Sequence, residues 1–429
     1  MPPREAILGN DLLLKENPSL FSLFSERGKN IYFPRLGILS QSADAKATKL
    51  NATIGIATND NKAPLHLTEI SNRIDLPPTQ IFPYCSSYGK EELRTAWKED
   101  IIKKNPSLTT PTSLPVVTQG LTQGLSLAGY LFLEPQDEII IPDLHWENYQ
   151  LIFSNTYKSQ LTTFPLFQNN QFNLQGFKEK LFQQPTGKKV VLLNFPNNPT
   201  GYTPTTDEQN QIIQELYRSA EQGNKLLVIC DDAYFGLVYK EGISKESIFA
   251  GLANLHPNIL AIKIDGTSKE QFAWGLRIGF ITFAAKGLTP NSYKVLEDKT
   301  AGAIRATLSN APHLSQSLLL QTLASPNCEQ EKQAAYNTLK ERYKTVQQAL
   351  SNQKYRSTFQ ALPCNSGYFI CVALLNAEAE AVRTLLIKKF NTGVIAFGNL
   401  LRIAFSSLTK EEIPLLFENI YLACKEIEK

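Results

Sequence analysis

Val190-Val191-Leu192-Leu193-Asn194-Phe195-Pro196-Asn197-Asn198-Pro199-Thr200-Gly201 is an apolar run that ends in a polar turn. The apolar part is too short for a helix and has no polar face, so it reads as a strand buried on both sides. The same pattern recurs around it, in Leu114-Pro115-Val116-Val117, Glu138-Ile139-Ile140-Ile141, Leu226-Leu227-Val228-Ile229 and Ile259-Leu260-Ala261-Ile262. Helical stretches at 122–133 and 206–221 lie between these runs. Strands that alternate with helices predict βαβ units and a three-layer α/β domain with a mostly parallel sheet. Eleven residues separate Ile264 from the next apolar run, Leu276-Arg277-Ile278-Gly279-Phe280-Ile281. That is marginal for a helical crossover, so an antiparallel neighbour is expected there.

Beyond residue 310 the pattern changes. Ala335, Leu339, Tyr343, Val346 and Leu350 form the stripe of a long amphipathic helix. Short strands are expected near 367–374 and 401–405, which reads as a smaller α+β domain. Residues 1–50 have no clean period and read as an arm plus a first helix. The expected organisation is residues 1–75 as N-terminal arm and part of the small domain, 76–310 as the large domain, and 311–429 as the C-terminal small domain.

The chain has 429 residues, with 43 Lys and Arg against 40 Asp and Glu, a net charge of +3. So near a balance gives no electrostatic footprint for nucleic acid or an anionic membrane. No apolar run reaches the length of a membrane span, and no signal peptide is visible after Met1-Pro2-Pro3-Arg4-Glu5. A soluble, cytoplasmic protein is expected. Cys85, Cys230, Cys328, Cys364, Cys371 and Cys424 form no C-x-x-C pair, and the four histidines are scattered, so no metal site is expected. Reduced, mostly buried thiols are the expectation.

Three groups could carry chemistry. Asn197-Asn198-Pro199-Thr200-Gly201 is either a plain turn or an amide at the carboxyl end of a parallel strand, where open α/β sheets bind ligands. Asp231-Asp232-Ala233-Tyr234 ends the next strand. Its first Asp is either a helix cap or one of two groups, with Tyr234, that meet different edges of a planar heterocycle. Thr267-Ser268-Lys269 follows the strand after that, with Arg277 eight positions on. A surface lysine is the bland reading. Burial behind a strand would instead lower its pKa and make it a nucleophile able to form a Schiff base.

Asn-Pro-Thr-Gly, Asp-x-Ala-Tyr and Ser-Lys with the later Arg resemble the signature of class I/II aminotransferases, fold-type I enzymes that use pyridoxal phosphate (PLP). Tyr84 and Gly89, in Tyr84-Cys85-Ser86-Ser87-Tyr88-Gly89-Lys90-Glu91-Glu92-Leu93-Arg94, resemble the family's Tyr-x4-Gly-x3-Leu-Arg. Gly120-Leu121-Thr122 resembles the loop before the first large-domain helix, and Trp146 the aromatic that stacks on the cofactor. Leu401-Arg402-Ile403-Ala404-Phe405 resembles the carboxylate-binding arginine segment. The resemblance runs over about residues 50 to 410, with seven motifs in the family's order.

It implies that the large domain binds PLP and that Lys269 is the Schiff-base lysine and proton shuttle. Asp231 would pair with the ring nitrogen, keeping the ring an electron sink. Tyr234 and Asn198 would meet the ring's phenolic oxygen, and Trp146 would stack on its face. Gly120, Leu121 and Thr122 at a helix N-terminus, with Ser268 and Arg277, would hold the phosphate. Tyr84 would reach it from a neighbouring subunit, which implies a homodimer with shared sites. Arg402 would clamp the substrate's α-carboxylate, with Gly55 and Asn198 nearby.

The position three before the lysine is often a hydroxyl residue in the family; here it is Gly266, and Thr267 is the candidate replacement. Arg305, in Arg305-Ala306-Thr307-Leu308-Ser309-Asn310-Ala311-Pro312, resembles the aspartate-enzyme arginine that reads a distal carboxylate across the dimer. Transfer of an amino group between an L-amino acid and a 2-oxo acid by a ping-pong route is implied, with a dicarboxylate donor favoured. An aromatic donor and a PLP-dependent C–S lyase are the alternatives. A non-catalytic regulator is disfavoured by the intact Lys269, Asp231 and Arg402.

Overall fold

The computed structural model describes residues 4–34, 37–183 and 185–428. Its larger sheet has seven strands: β1 (Val116–Thr118), β2 (Glu138–Pro142), β3 (Gln160–Phe164), β4 (Lys188–Asn194), β5 (Lys225–Asp231), β6 (Ile259–Gly266) and β7 (Gly279–Ala284). Their order is β1-β7-β6-β5-β4-β2-β3. All neighbours are parallel except at β7, which runs antiparallel to both β6 and β1. The short link after β6 therefore does what its length predicts. The inner strands are buried on both faces, which explains their continuous apolar runs.

Alternate residues of each strand feed two separate cores. Val190, Leu192, Leu227, Ile229, Ile262 and Ile264 join one. Val191, Leu193, Val228, Cys230, Ala261 and Phe280 join the other. Each such side chain removed from water contributes ~1.5–3 kcal/mol, so the strand register is strongly held. That register sets Asn194 beside Asp231, and Asp231 beside Ile264, at the carboxyl end of the sheet.

Helices Leu121–Phe132 and Thr206–Glu221 form where expected. The second begins in a capping box between Thr205 and Glu208, which fixes its start. Beyond them, helix Cys328–Leu350 carries the predicted stripe. A second, antiparallel sheet holds β8 (Phe359–Ala361), β9 (Phe369–Leu374), β10 (Ile395–Phe397) and β11 (Leu400–Ala404), in the order β8-β9-β11-β10. Leu50–Asn51 pairs parallel with Thr392–Gly393, so the N-terminal stretch is tied to this second unit.

Two features differ from the sequence reading. The first 50 residues hold four helices, Arg4–Glu16, Pro18–Ser22, Glu26–Asn30 and Ile38–Asp44, rather than one. Three are seven residues or fewer, too short to show a period. The edge strand β3 was not expected, because its Gln160, Thr162 and Thr163 break the apolar run that marked the inner strands. Among the described residues, no helix is long and apolar enough to cross a membrane. Nor is there a group of His, Cys, Asp or Glu that could hold a metal ion.

Candidate active site

A cavity of about 540 Å³ opens at the carboxyl ends of β4, β5 and β6. Such a volume is typical of a small-molecule site. It brings together most of the sequence-predicted residues: Gly55, Leu121, Thr122, Trp146, Asn198, Asp231, Tyr234, Ser268, Lys269, Arg277 and Arg402.

Asp231 ends β5 on the face shared with Leu227 and Ile229, which is the cavity side. Its Oδ2 accepts a hydrogen bond from Tyr149 Oη at 2.6 Å, and its Oδ1 accepts the Ala233 N–H at 3.1 Å. Burial pushes its carboxyl up to about 6, against the pull of Tyr149 and Lys269. Asp232 lies one residue further and so on the opposite face. There it is buried, pairs with Lys263 and accepts from Ser247 Oγ at 2.6 Å. It is an inner ion-pair carboxylate, not a solvated one.

Asn198 and Asn197 divide their labour. Asn197 Oδ1 accepts from the Thr200 N–H and hydroxyl at 3.2 and 2.7 Å, holding the turn shut. Asn194 Oδ1 accepts the Asn198 N–H at 2.9 Å, and Asn194 Nδ2 donates to the Asp231 carbonyl at 2.9 Å. The Asn198 side chain is left to face the cavity, where its Oδ1 lies 3.4 Å from Arg402 Nη1.

Lys269 sits in the turn Thr267–Glu270 directly after β6, with Nζ 5.0 Å from the centre of the Tyr234 ring. Burial lowers its ammonium to about 8, helped by Arg277 and opposed by Asp231. Its carbonyl accepts from Tyr368 Oη at 3.1 Å, which fixes the turn. Burial also raises the Tyr234 phenol, while the Arg402 charge lowers it.

The residues around Ser268 fit a phosphate. Ser268 Oγ is buried with no hydrogen-bond partner among the described residues. The helix Leu121–Phe132 starts at Gly120, which offers no side chain to cap its free N–H groups, a natural anion seat. Arg277 adopts φ +53°, an uncommon conformation for a residue with a side chain, and its guanidinium closes on Gly120 so tightly that a Cβ there would collide with it. Gly266 is explained by the same crowding. A Cβ on it would lie 2.5 Å from the Ile278 carbonyl oxygen and 2.7 Å from Gly279 Cα, so no hydroxyl residue fits. The Thr267 hydroxyl lies 3.4 Å from the Ile278 carbonyl oxygen.

Arg402, on β11, is buried over the Phe369 ring at 4.4 Å and donates from Nη2 to the Thr53 carbonyl at 2.9 Å. Its Nε has no partner among the described residues. A buried guanidinium with an open donor suits a carboxylate.

The pattern of the family described as Aminotransferase class I and II matches residues 54–420. The chain belongs to the class I and II aminotransferase family. This aminotransferase is 26% identical over 360 residues to the Aquifex aeolicus protein named "Probable aspartate/prephenate aminotransferase", covering 80% of this chain and 84% of that one. It is 30% identical over 210 residues to aspartate aminotransferase of Thermotoga maritima, 48% of this chain and 51% of that one. In fold it matches an aminotransferase from Anaerococcus prevotii with a TM-score of 0.83 at 23% identity, over 94% and 99% of the two chains. Family membership makes it an enzyme whose cofactor is pyridoxal phosphate.

Three predicted residues do not line the aminotransferase's own cavity: Gly120, which lies at its edge under Arg277, Tyr84 and Arg305. Tyr84 is 91% exposed, and Arg305 is exposed with Nη1 donating to Ser309 Oγ at 2.6 Å. Several lining residues escaped the sequence reading. Tyr149 stands three positions after Trp146, a helical spacing that could have drawn attention to it. Asn194 is the last polar residue of an apolar strand. Tyr32, Ile38, Leu39 and Ser42 come from the arm, where no motif marks them.

Proposed function

We propose that Lys269, Asp231 and Tyr234 carry the transamination and that Arg402 holds the substrate's α-carboxylate. The observation that carries this is one cavity shared by a buried lysine lowered to about 8, a buried aspartate raised to about 6 and a buried, incompletely paired arginine. Leu121, Thr122, Ser268 and Arg277 would hold the cofactor's phosphate, Asp231 its ring nitrogen, Asn198 and Tyr234 its phenolic oxygen, Trp146 its face and Lys269 its aldehyde carbon. When bound, pyridoxal phosphate supplies the electron sink for the pair left on Cα. The protein would supply the base: the Lys269 amine would take the proton from Cα and deliver it to the cofactor's aldehyde carbon, two bonds away. An amine near 8 is about one-tenth free base at pH 7 and half free at pH 8, a far larger share than an ordinary lysine offers. Arg402 fixes the donor so that this proton faces Lys269.

The proposal extends to a homodimer that shares its sites. Tyr84 and Arg305 face solvent in their own chain, and Phe82 and Ile74, earlier in the same stretch of chain, are 79% and 59% exposed. A second copy would bring Tyr84 to the phosphate and Arg305 to a distal carboxylate. Aspartate or another dicarboxylate is then the favoured donor, and relatives carry aspartate names. Six free cysteines accord with a reducing cytoplasm.

Following the bound cofactor's absorbance in single turnover tests the roles. Lys269→Ala should abolish the change that an amino acid causes in wild type, with a loss of at least ~10²–10⁴-fold. Near-normal turnover in that variant would refute the assignment. Arg305→Ala should lower kcat/KM for aspartate alone. A carboxylate left without its arginine loses ~2–5 kcal/mol, roughly 30-fold to several thousand-fold.

A further inference from the structure

The helix Ile38–Asp44 has seven residues, none of them buried, and its N-cap is Gly37. A helix so short does not hold itself in water. Three contacts to three other elements hold it. The Glu147 carboxylate accepts the Ile38 N–H at 3.4 Å. Asp44 pairs with Arg383 at 3.2 Å. Between them, Gln41 donates from Nε2 to the Ala396 carbonyl at 2.8 Å and accepts the Ala396 N–H on Oε1 at 2.7 Å. Ala396 is the middle residue of β10, the edge strand of the small sheet. Gln41 thus satisfies backbone groups that a further strand would otherwise take. The neighbouring Ile395 stands opposite Arg402 across the sheet.

This helix borders two cavities. Ile38, Leu39 and Ser42 line the one that holds Lys269. An adjoining cavity of about 380 Å³ is lined by Ile38 and Gln41 together with Ile395, Phe397 and His145. Arg402, Asn198, Trp146, Glu147 and Ile38 belong to both. A donor whose carboxylate Arg402 held would sit at this boundary, where Ile38, Trp146 and Glu147 border the second, partly apolar space.

We infer that Ile38 sets the longest apolar side chain the aminotransferase accepts, and that Gln41 is the positioning residue that keeps Ile38 in place through Ala396. This rests on the Arg402–carboxylate contact proposed above. The probes are straight-chain monocarboxylates from propionate to octanoate, titrated into the holoenzyme by the fluorescence of Trp146 and Trp274, which line the first cavity. Single-turnover rates with straight-chain 2-amino acids of four to eight carbons give the second readout. In wild type, affinity should rise with length and then stop. Ile38→Ala should move that break to longer chains and improve octanoate relative to butyrate by about tenfold, the scale of a methylene-sized change in a pocket. Gln41→Ala should move it the same way. So should Gln41→Glu, which can accept from Ala396 but cannot donate to it. An unchanged length profile in Ile38→Ala would overturn the inference. So would Gln41 variants weakened equally at every length. Equal binding of propionate by wild type and Arg402→Ala would overturn the carboxylate contact itself, and the inference with it.

Discussion

Tyr149 Oη donates a 2.6 Å hydrogen bond to Oδ2 of Asp231 at the floor of the cavity. Burial raises the Asp231 carboxyl and this bond opposes the rise. In Tyr149→Phe the carboxyl should therefore be protonated at higher pH than in wild type. The acid limb of the kcat profile should move up, while the alkaline limb stays. A hydrogen bond to a charged group is worth ~1.5–3 kcal/mol, about one to two pKa units, so kcat near pH 7 should fall roughly 2- to 15-fold. An equal fall at every pH would assign Tyr149 to packing alone.

Asp231 has a consequence for stability without cofactor. Its carboxyl moves from 3.8 to about 6 on folding. A carboxyl raised in this direction favours the folded state below its unfolded value, and that contribution is lost as pH rises through about 6. At pH 7 the buried charge costs on the order of 3 kcal/mol. Asp231→Asn should thus raise the Tm of the cofactor-free protein at pH 7 and flatten its dependence between pH 4 and 6, while turnover collapses. A lower Tm at pH 7 would contradict the burial argument.

The adjacent position should behave in the opposite sense. Asp232→Ala takes from the fully buried Lys263 its shorter carboxylate contact and leaves it Asp265 alone, at 3.4 Å. Removing the sole partner of a buried charge typically costs ~3–5 kcal/mol, and with Asp265 retained the loss should fall below that range. Urea unfolding should show that loss. Single-turnover rates of the folded fraction should suffer less than in Asp231→Ala; the reverse ranking would exchange the two roles.

Shared sites predict complementation. A Lys269→Ala protomer mixed with a Tyr84→Phe, Arg305→Ala protomer should regain activity, since one site in each mixed dimer draws every group from an intact position. No recovery, with subunit exchange shown by mass spectrometry, would count against sharing.

Gly266→Ser tests whether the missing hydroxyl can be restored. The new Cβ meets the Ile278 carbonyl and Gly279 Cα, both backbone. Overpacking of this kind costs ~1–3 kcal/mol. A drop in Tm with no gain in cofactor affinity is expected; tighter binding at unchanged Tm would show that the strands can part.

The sequence made the inner strands legible because burial on both faces removes polar residues from them. β3 escaped because an edge needs no such purity. Asp231 and Lys269 drew notice because each ends or follows a run of that kind, and Arg402 because its segment resembles the family's; all three line one cavity. Tyr149 was not legible: its helical spacing from Trp146 is a local sign, but that spacing does not distinguish a tyrosine that donates to a carboxylate from one that fills a core. Ile38 and Gln41 escaped for another reason. Their partners lie across the chain at Trp146, Arg402 and Ala396, so no local window contains the relation.

The side-chain alternation of β5 makes the strand a sorting device with two outlets. Asp231 is delivered to the cavity and Asp232 to Lys263 only while the count from Lys225 is kept. Removing a single residue anywhere in that strand would leave its composition nearly untouched. It would nevertheless exchange the destinations of the two carboxylates, or force the strand to buckle around the deletion. Length, here, is as much a part of the catalytic apparatus as any functional group.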